Sequence, residues 1–127
     1  RELSGESNLV KAARAIQRMG PALLVIKRGE HGVLVTRDRF FAAPAMPLEE
    51  VLDPTGAGDT FAGGFMGFLA SAVEITDTVV ARAVIAGSAL ASLSVEDFGL
   101  DQLLRLTPDE LRDRFAAFKR LTHFDAL

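Results

Sequence analysis

The sequence contains no cysteine, which excludes both a disulfide framework and a thiolate metal site. It also lacks a strong charge excess: the formal net charge is −3 and the basic residues are scattered, which argues against a nucleic-acid surface. No apolar run reaches the ~20 residues that a membrane span needs, and no signal peptide is visible. We therefore expect a cytoplasmic protein that binds neither nucleic acid nor membrane.

Two common phosphate-binding motifs are absent as well. There is no Gly-x-x-x-x-Gly-Lys-Ser/Thr string, so the chain has no P-loop, and Phe61 stands where a dinucleotide fingerprint requires its third glycine. Apolar residues, in contrast, are abundant and make up 49% of the 127 residues. A chain of this length buries roughly two thirds of its unfolded surface. We therefore predict a single domain over residues 1–127.

The first half of the sequence predicts one helix followed by three strands. Apolar residues recur at helical spacing over residues 9–19, and Gly20 ends that pattern. The run 22–26 is apolar throughout and of strand length, which is typical of a buried parallel strand. Segments 33–36 and 40–43, separated by a short polar turn, predict a hairpin attached to that parallel sheet.

The second half predicts three helices. Residues 60–72 carry no charge and are apolar nearly all round, so we expect that helix to be buried on most sides. A helix rich in small residues is predicted from Thr76 to about Val95. A third helix is predicted to begin at Thr107, which is followed by proline and, at the capping-box position, by Glu110.

The stretch Asp53–Phe61 carries the chemistry that the sequence suggests. Pro54 favours an extended start, and two glycines around Ala57 allow a sharp turn before the helix. The first N–H groups of a helix lack intrahelical partners and attract anions, so the turn is a candidate phosphate site. Asp59 would repel a phosphate, but it has a role if it accepts a proton from a nucleophile that attacks the phosphate. A second interpretation, that Asp59 merely caps the helix, stays open on these residues alone.

The longer string points to a family. Residues 53–61, Asp-Pro-Thr-Gly-Ala-Gly-Asp-Thr-Phe, closely resemble the signature of the PfkB family of carbohydrate kinases, which have the ribokinase-like fold. Residues 27–32 resemble the nucleotide loop of that family, and residues 3–5 resemble the start of its preceding helix. The resemblance implies an α/β fold, the ribokinase-like three-layer α/β/α arrangement. This chain would be the C-terminal portion, with part of a mostly parallel sheet, a β-hairpin and flanking helices.

The resemblance also implies a function, which is phosphoryl transfer from ATP to a hydroxyl of a small-molecule sugar or nucleoside. Asp59 would be the general base, and the amides of Gly56, Ala57, Gly58 and Asp59 would form the anion hole. Mg²⁺ is the implied metal cofactor, and Asp53 and Thr55 would lie near a monovalent-cation site, for K⁺. The residues implied in nucleotide binding are Lys27, Arg28, Gly29, Glu30, His31, Gly32, Gly58, Gly87 and Ser88.

Several alternatives remain beside this interpretation. The family's Asn-x-x-Glu motif, which organises magnesium, is missing, since the only asparagine is Asn8 and Lys11 stands where glutamate is required. The family's sugar-binding residues, its lid and its usual homodimer contact belong to an N-terminal half. The chain could therefore be a non-catalytic nucleotide-binding or anion-binding module, or an inactive kinase fragment. Gly29 and Gly32 could form a plain turn, and Gly87 and Ser88 could serve ordinary helix packing.

Overall fold

The computed structural model describes residues 9–18, 20, 23–28, 32–47, 56–96 and 107–125. These residues form four helices and three strands. In chain order the elements are α1 (Leu9–Arg18), β1 (Leu24–Lys27), β2 (Val33–Thr36), β3 (Phe40–Ala43), α2 (Ala57–Ser71), α3 (Asp77–Glu96) and α4 (Pro108–Thr122).

The three strands form one sheet in the order β1-β2-β3, and both pairings are antiparallel. The bounds predicted for β2 and β3 are confirmed, whereas β1 occupies residues 24–27 instead of 22–26. The prediction of a parallel partner for β1 is not met within the described residues, where β1 pairs with β2 alone. The loop between β1 and β2 is short and therefore allows only antiparallel pairing of these two strands, because a parallel pairing needs a crossover of a dozen or more residues.

Helices cover both faces of the sheet. One face contributes Val33, Val35 and Ala43 to the main core cluster, where they meet buried residues of α2 and α3. On the opposite face, the Thr36 hydroxyl donates to Gln17 Oε1 of α1 over 3.4 Å. Since alternate residues of a strand point to opposite sides, this pattern confirms the predicted layering of helix, sheet and helix.

Helix α2 begins earlier than predicted and is less buried. It starts at Ala57 instead of Thr60, because Gly56 adopts the left-handed conformation and its carbonyl accepts the Thr60 N–H at 2.9 Å. Phe61 and Phe65 are buried, but Met66 is 59% exposed. The expectation of burial on most sides is therefore wrong in the described structure, where only one face of α2 packs against α3.

The predicted start of α3 is confirmed, because the Thr76 hydroxyl caps it by accepting the Val79 N–H at 3.2 Å. Within the part of the chain that is described, Asp77–Val95 is the one helical stretch long and apolar enough, by length and composition, to cross a membrane. Half of it is buried inside the molecule, as expected for the core helix of a globular protein. Helix α3 packs against α2, α4 and the sheet.

The capping box predicted for α4 is confirmed. The Thr107 hydroxyl accepts the Glu110 N–H at 3.2 Å, and the Glu110 carboxylate accepts the Thr107 N–H at 3.4 Å. The apolar stripe of this helix predicts a solvated side that carries Arg112, Arg114, Lys119 and Arg120. The prediction is wrong for Arg114, because its guanidinium donates to the Ser92 hydroxyl of α3 over 2.8 Å. His123 is exposed, as predicted, and His31 lies outside the described residues.

Candidate active site

The first turn of α2 is an open helix N-terminus. Gly56 is the N-cap, with φ 82° and ψ −2°, and no side chain caps the helix. The amides of Ala57, Gly58 and Asp59 precede the first intrahelical bond and therefore have no partner within the helix. Gly56, Gly58 and Asp59 are all exposed. We call Gly56–Thr60 the N-terminal turn; its geometry suits an anion, since the free amides and the helix dipole both attract negative charge.

Asp59 is the third residue of α2, not its cap. The capping interpretation of Asp59 is thus wrong, because Gly56 occupies the N-cap position. Helical Cα–Cβ bonds tilt toward the N-terminus, so this carboxylate lies on the side of the free amides. Among the described residues Asp59 has no hydrogen-bond or ion-pair partner, and it is exposed. A carboxylate in this position, beside a turn that is a candidate anion site, is free to accept a proton from a bound group.

Lys27, the first residue of the predicted nucleotide loop, lies beside the N-terminal turn. It ends β1, and its Nζ lies 3.5 Å from the carbonyl oxygen of Gly58. The same ammonium is 5.8 Å from the ring centroid of Phe61. Since a distance of 3.5 Å makes only a weak hydrogen bond, the ammonium remains available to an anion. The structure therefore unites two motifs that are far apart in the sequence.

Gly32 has a structural role in the loop that follows Lys27. Its φ is 94°, and a Cβ placed on it would lie 2.1 Å from the carbonyl oxygen of Ala43. Its own carbonyl accepts the Arg28 N–H at 2.8 Å, which closes the loop. A tight turn therefore accounts for Gly32 without any ligand. Gly29, Glu30 and His31, which are also predicted to bind nucleotide, lie outside the described residues.

Gly87 and Ser88 are buried in α3. A Cβ on Gly87 would lie 2.7 Å from the carbonyl oxygen of Phe61, so helix packing accounts for this glycine. Asp53 and Thr55, which are predicted to lie near a monovalent cation, are outside the described residues. Within the described ranges, no group of three or more His, Cys, Asp or Glu side chains could hold a metal ion.

Phe61 is part of the candidate site, which its sequence pattern did not indicate. The apolar pattern assigned this residue to the core, and it is indeed buried. Its ring, however, also lies below the Lys27 ammonium and against Gly87. Phe61 is the last residue of the signature string, which was the available hint that its position matters to the site.

Comparison with known proteins agrees with these features. The family model described as pfkB family carbohydrate kinase matches residues 1–105. A cytidine kinase of Thermococcus kodakarensis is 48% identical over 66 residues, which are 50% of this chain and 24% of the relative. A nucleoside kinase of Methanothermobacter thermautotrophicus is 35% identical over 117 residues, which are 91% of this chain and 33% of the relative.

The fold comparison gives the same result. The crystal structure of aminoimidazole riboside kinase from Salmonella enterica, complexed with aminoimidazole riboside and an ATP analog, superposes with a TM-score of 0.72 at 30% identity. The match covers 90% of this chain and 38% of that one. The chain thus has the fold of these kinases and spans about a quarter to two fifths of their length.

Proposed function

The chain belongs to the pfkB family of carbohydrate kinases, and we propose that it is the nucleotide-binding and catalytic-base part of a sugar or nucleoside kinase. The reaction is phosphoryl transfer from ATP to a hydroxyl of the acceptor. The observation that carries this proposal is the approach of Lys27 Nζ to the carbonyl of Gly58, at 3.5 Å. This contact places a cation, three free helix amides and the Asp59 carboxylate at one end of α2.

Asp59 acts as the general base. Its carboxylate accepts the proton of the acceptor hydroxyl while that oxygen forms a bond to the γ-phosphorus, and the bond from phosphorus to the ADP oxygen breaks. The amides of Ala57, Gly58 and Asp59 donate hydrogen bonds to the oxygens on which negative charge develops. Phosphoryl transfer depends mainly on such positioning and charge stabilisation. A positioned base contributes ~10²–10⁴-fold to the rate.

Lys27 and Arg28 attract the nucleotide phosphates. Both are exposed at the end of β1, so each contributes modestly to affinity, at ~0.3–1 kcal/mol. Residues 29–31 complete the nucleotide loop in this proposal. Asp53 and Thr55 are the residues proposed to lie near a K⁺ ion. For Mg²⁺ the described residues do not supply a set of ligands, and none of the steps above depends on the metal.

The acceptor is a small molecule with a sugar hydroxyl. The relatives reported above are a cytidine kinase, a nucleoside kinase and an aminoimidazole riboside kinase, so nucleosides and ribosides are candidate acceptors beside free sugars. We assign the activity to the cytoplasm, where ATP is available. The alternative function is a non-catalytic module that binds nucleotide and transfers nothing.

A substrate screen on the full-length protein tests the proposal. The protein is incubated with ATP, Mg²⁺ and a panel of nucleosides, ribosides and sugars, and phosphorylated products are measured by mass spectrometry. We expect at least one acceptor to gain a phosphate, with an equal amount of ADP formed. ATP binding without phosphorylation of any acceptor in the panel would contradict the kinase and support the non-catalytic module.

A further inference from the structure

Helices α2 and α3 touch through a pair of glycines. A Cβ placed on Gly87 of α3 would lie 2.7 Å from the carbonyl oxygen of Phe61 and 3.0 Å from its ring. A Cβ placed on Gly64 of α2 would lie 2.8 Å from the Leu90 side chain and 3.0 Å from the Cα of Gly87. The two helices therefore approach too closely for any side chain at this point.

The closeness is specific to these two positions. Gly63 and Gly67 also lie in α2, but a Cβ on either would meet nothing within 4 Å. The small residues of α2 are thus not equivalent. Of the glycines Gly63, Gly64 and Gly67, only Gly64 faces α3, and Gly87 is the glycine of α3 that contacts Phe61 of α2.

The atom nearest to a Cβ on Gly87 is a backbone oxygen, that of Phe61, so a side chain added there would push against the backbone of α2. A flexible side chain can rotate away, whereas the carbonyl of Phe61 can move only together with the helix. Phe61 lies about one helical turn after Gly58, and its ring lies 5.8 Å from the Lys27 ammonium. A shift at Phe61 therefore displaces the N-terminal turn and changes the distance between the Phe61 ring and the Lys27 ammonium.

We propose that Gly87 is a positioning residue for phosphoryl transfer, and that it acts through Phe61 and not through contact with the nucleotide. Because Gly87 has no side chain, α3 can pack directly against the Phe61 carbonyl. This contact fixes the position of α2 and thereby the direction of its free amides. The proposal rests on the proposed function, since it assumes that those amides stabilise the transferred phosphoryl group. A misplacement of about 1 Å in such a group can reduce a rate ~10²-fold.

The test compares Gly87→Ala with Gly63→Ala in the full-length protein. Nucleotide-binding sites are first counted by calorimetric titration with ADP, so that kcat is expressed per intact site and unfolded protein does not contribute. For Gly87→Ala we expect kcat to fall at least about tenfold, because the amides are misplaced by a fraction of an ångström. KM for ATP should change less than threefold, roughly, since an interaction made mainly in the transition state acts on kcat. Gly63→Ala should leave both constants unchanged.

Equal kcat per site for the two variants would overturn the positioning role. Should Gly87→Ala fail to fold, Gly64→Ala in a Leu90→Ala background takes its place, with Leu90→Ala alone as the reference. Removing the Leu90 side chain leaves the Gly87 Cα as the nearest obstacle to the new methyl group. A lower kcat per site supports the proposal, and an unchanged one overturns it. If the wild-type protein phosphorylates no acceptor, the proposed function fails instead, so the two failures are distinct.

Discussion

At the scale of single residues, the site combines two opposite charges that the sequence keeps 32 positions apart, Lys27 and Asp59. The lysine adds positive potential to a helix end that is already positive, which favours phosphate binding. The carboxylate opposes phosphate binding, and in the proposed function it serves the chemical step as general base. We therefore expect Lys27 to affect the affinity for ATP, and Asp59 to affect the rate of phosphoryl transfer.

Lys27→Met removes the charge and keeps an unbranched apolar stem. We expect ATP to bind about two- to fivefold more weakly, since an exposed charge near a helix terminus contributes ~0.3–1 kcal/mol. The weakening should shrink as salt is raised, because screening already reduces the lysine's contribution. Calorimetric titration with ATP at low and high salt measures both effects. Lys119→Met, on the exposed side of α4, is the matched control, and equal losses in both variants would contradict a local role for Lys27.

At the scale of elements, the helix N-termini differ in whether a side chain caps them. Helix α4 begins with a complete capping box, in which the Thr107 hydroxyl and the Glu110 carboxylate each accept a backbone N–H. Helix α3 has its own hydroxyl cap at Thr76. Of the three helices whose N-terminal caps are described, α2 alone has no side-chain cap. The caps stabilise the N-termini of α3 and α4, whereas the N-terminus of α2 is exposed and is the end at which the proposed function requires a phosphate.

Thr107→Ala should lower the free energy of unfolding by ~1 kcal/mol, because the substitution leaves the Glu110 N–H without its side-chain acceptor. Urea denaturation of the full-length protein, followed by circular dichroism, measures the change. Thr107→Ser keeps the hydroxyl and should restore most of the lost stability. Catalysis should be unaffected, since α4 packs against α3 and not against the N-terminal turn. A variant as stable as the wild type would show that the cap contributes nothing.

The elements that could be predicted from the sequence are those fixed by local rules. Strands β2 and β3 follow from short apolar runs around a polar turn, and the caps of α3 and α4 follow from residue type and spacing. The start of α2 could not be placed, because Gly56 and Ala57 suit a loop and a helix turn equally well. The parallel partner of β1 was an extrapolation from a buried apolar run, which fits either strand direction.

Contacts between elements could not be predicted from local sequence patterns. Arg114 has the sequence context of a solvated residue, but the packing of α4 on α3 brings it to Ser92. Nothing near Gly87 in the sequence indicates that Phe61 lies against it. In the candidate site, the proximity of the residues from Gly56 to Asp59 could be predicted because they are consecutive in the chain. The meeting of Lys27 with Gly58 depends on how the sheet and α2 pack, which no spacing rule supplies.

At the scale of the molecule, the candidate site lies at one end of the sheet. Lys27 ends β1 and Val33 begins β2 at that end, beside the N-terminal turn. The turn between β2 and β3 lies at the opposite end, where Arg37 and Arg39 form ion pairs with Asp77 of α3. Charge changes in that distant turn should therefore leave phosphoryl transfer unaffected, which makes the turn a source of control variants.

The most direct test of the account is the kinetics of Asp59→Asn in the full-length protein, with ATP affinity measured alongside. Asparagine keeps the shape of aspartate and cannot accept the acceptor proton. We expect kcat to fall ~10²–10⁴-fold while the dissociation constant for ATP stays the same or improves, because a negative charge near the phosphates is removed. Asp38→Asn, in the distant β2–β3 turn, should match the wild type. Full turnover by Asp59→Asn would contradict the proposed role of Asp59 as general base, and with it the central claim.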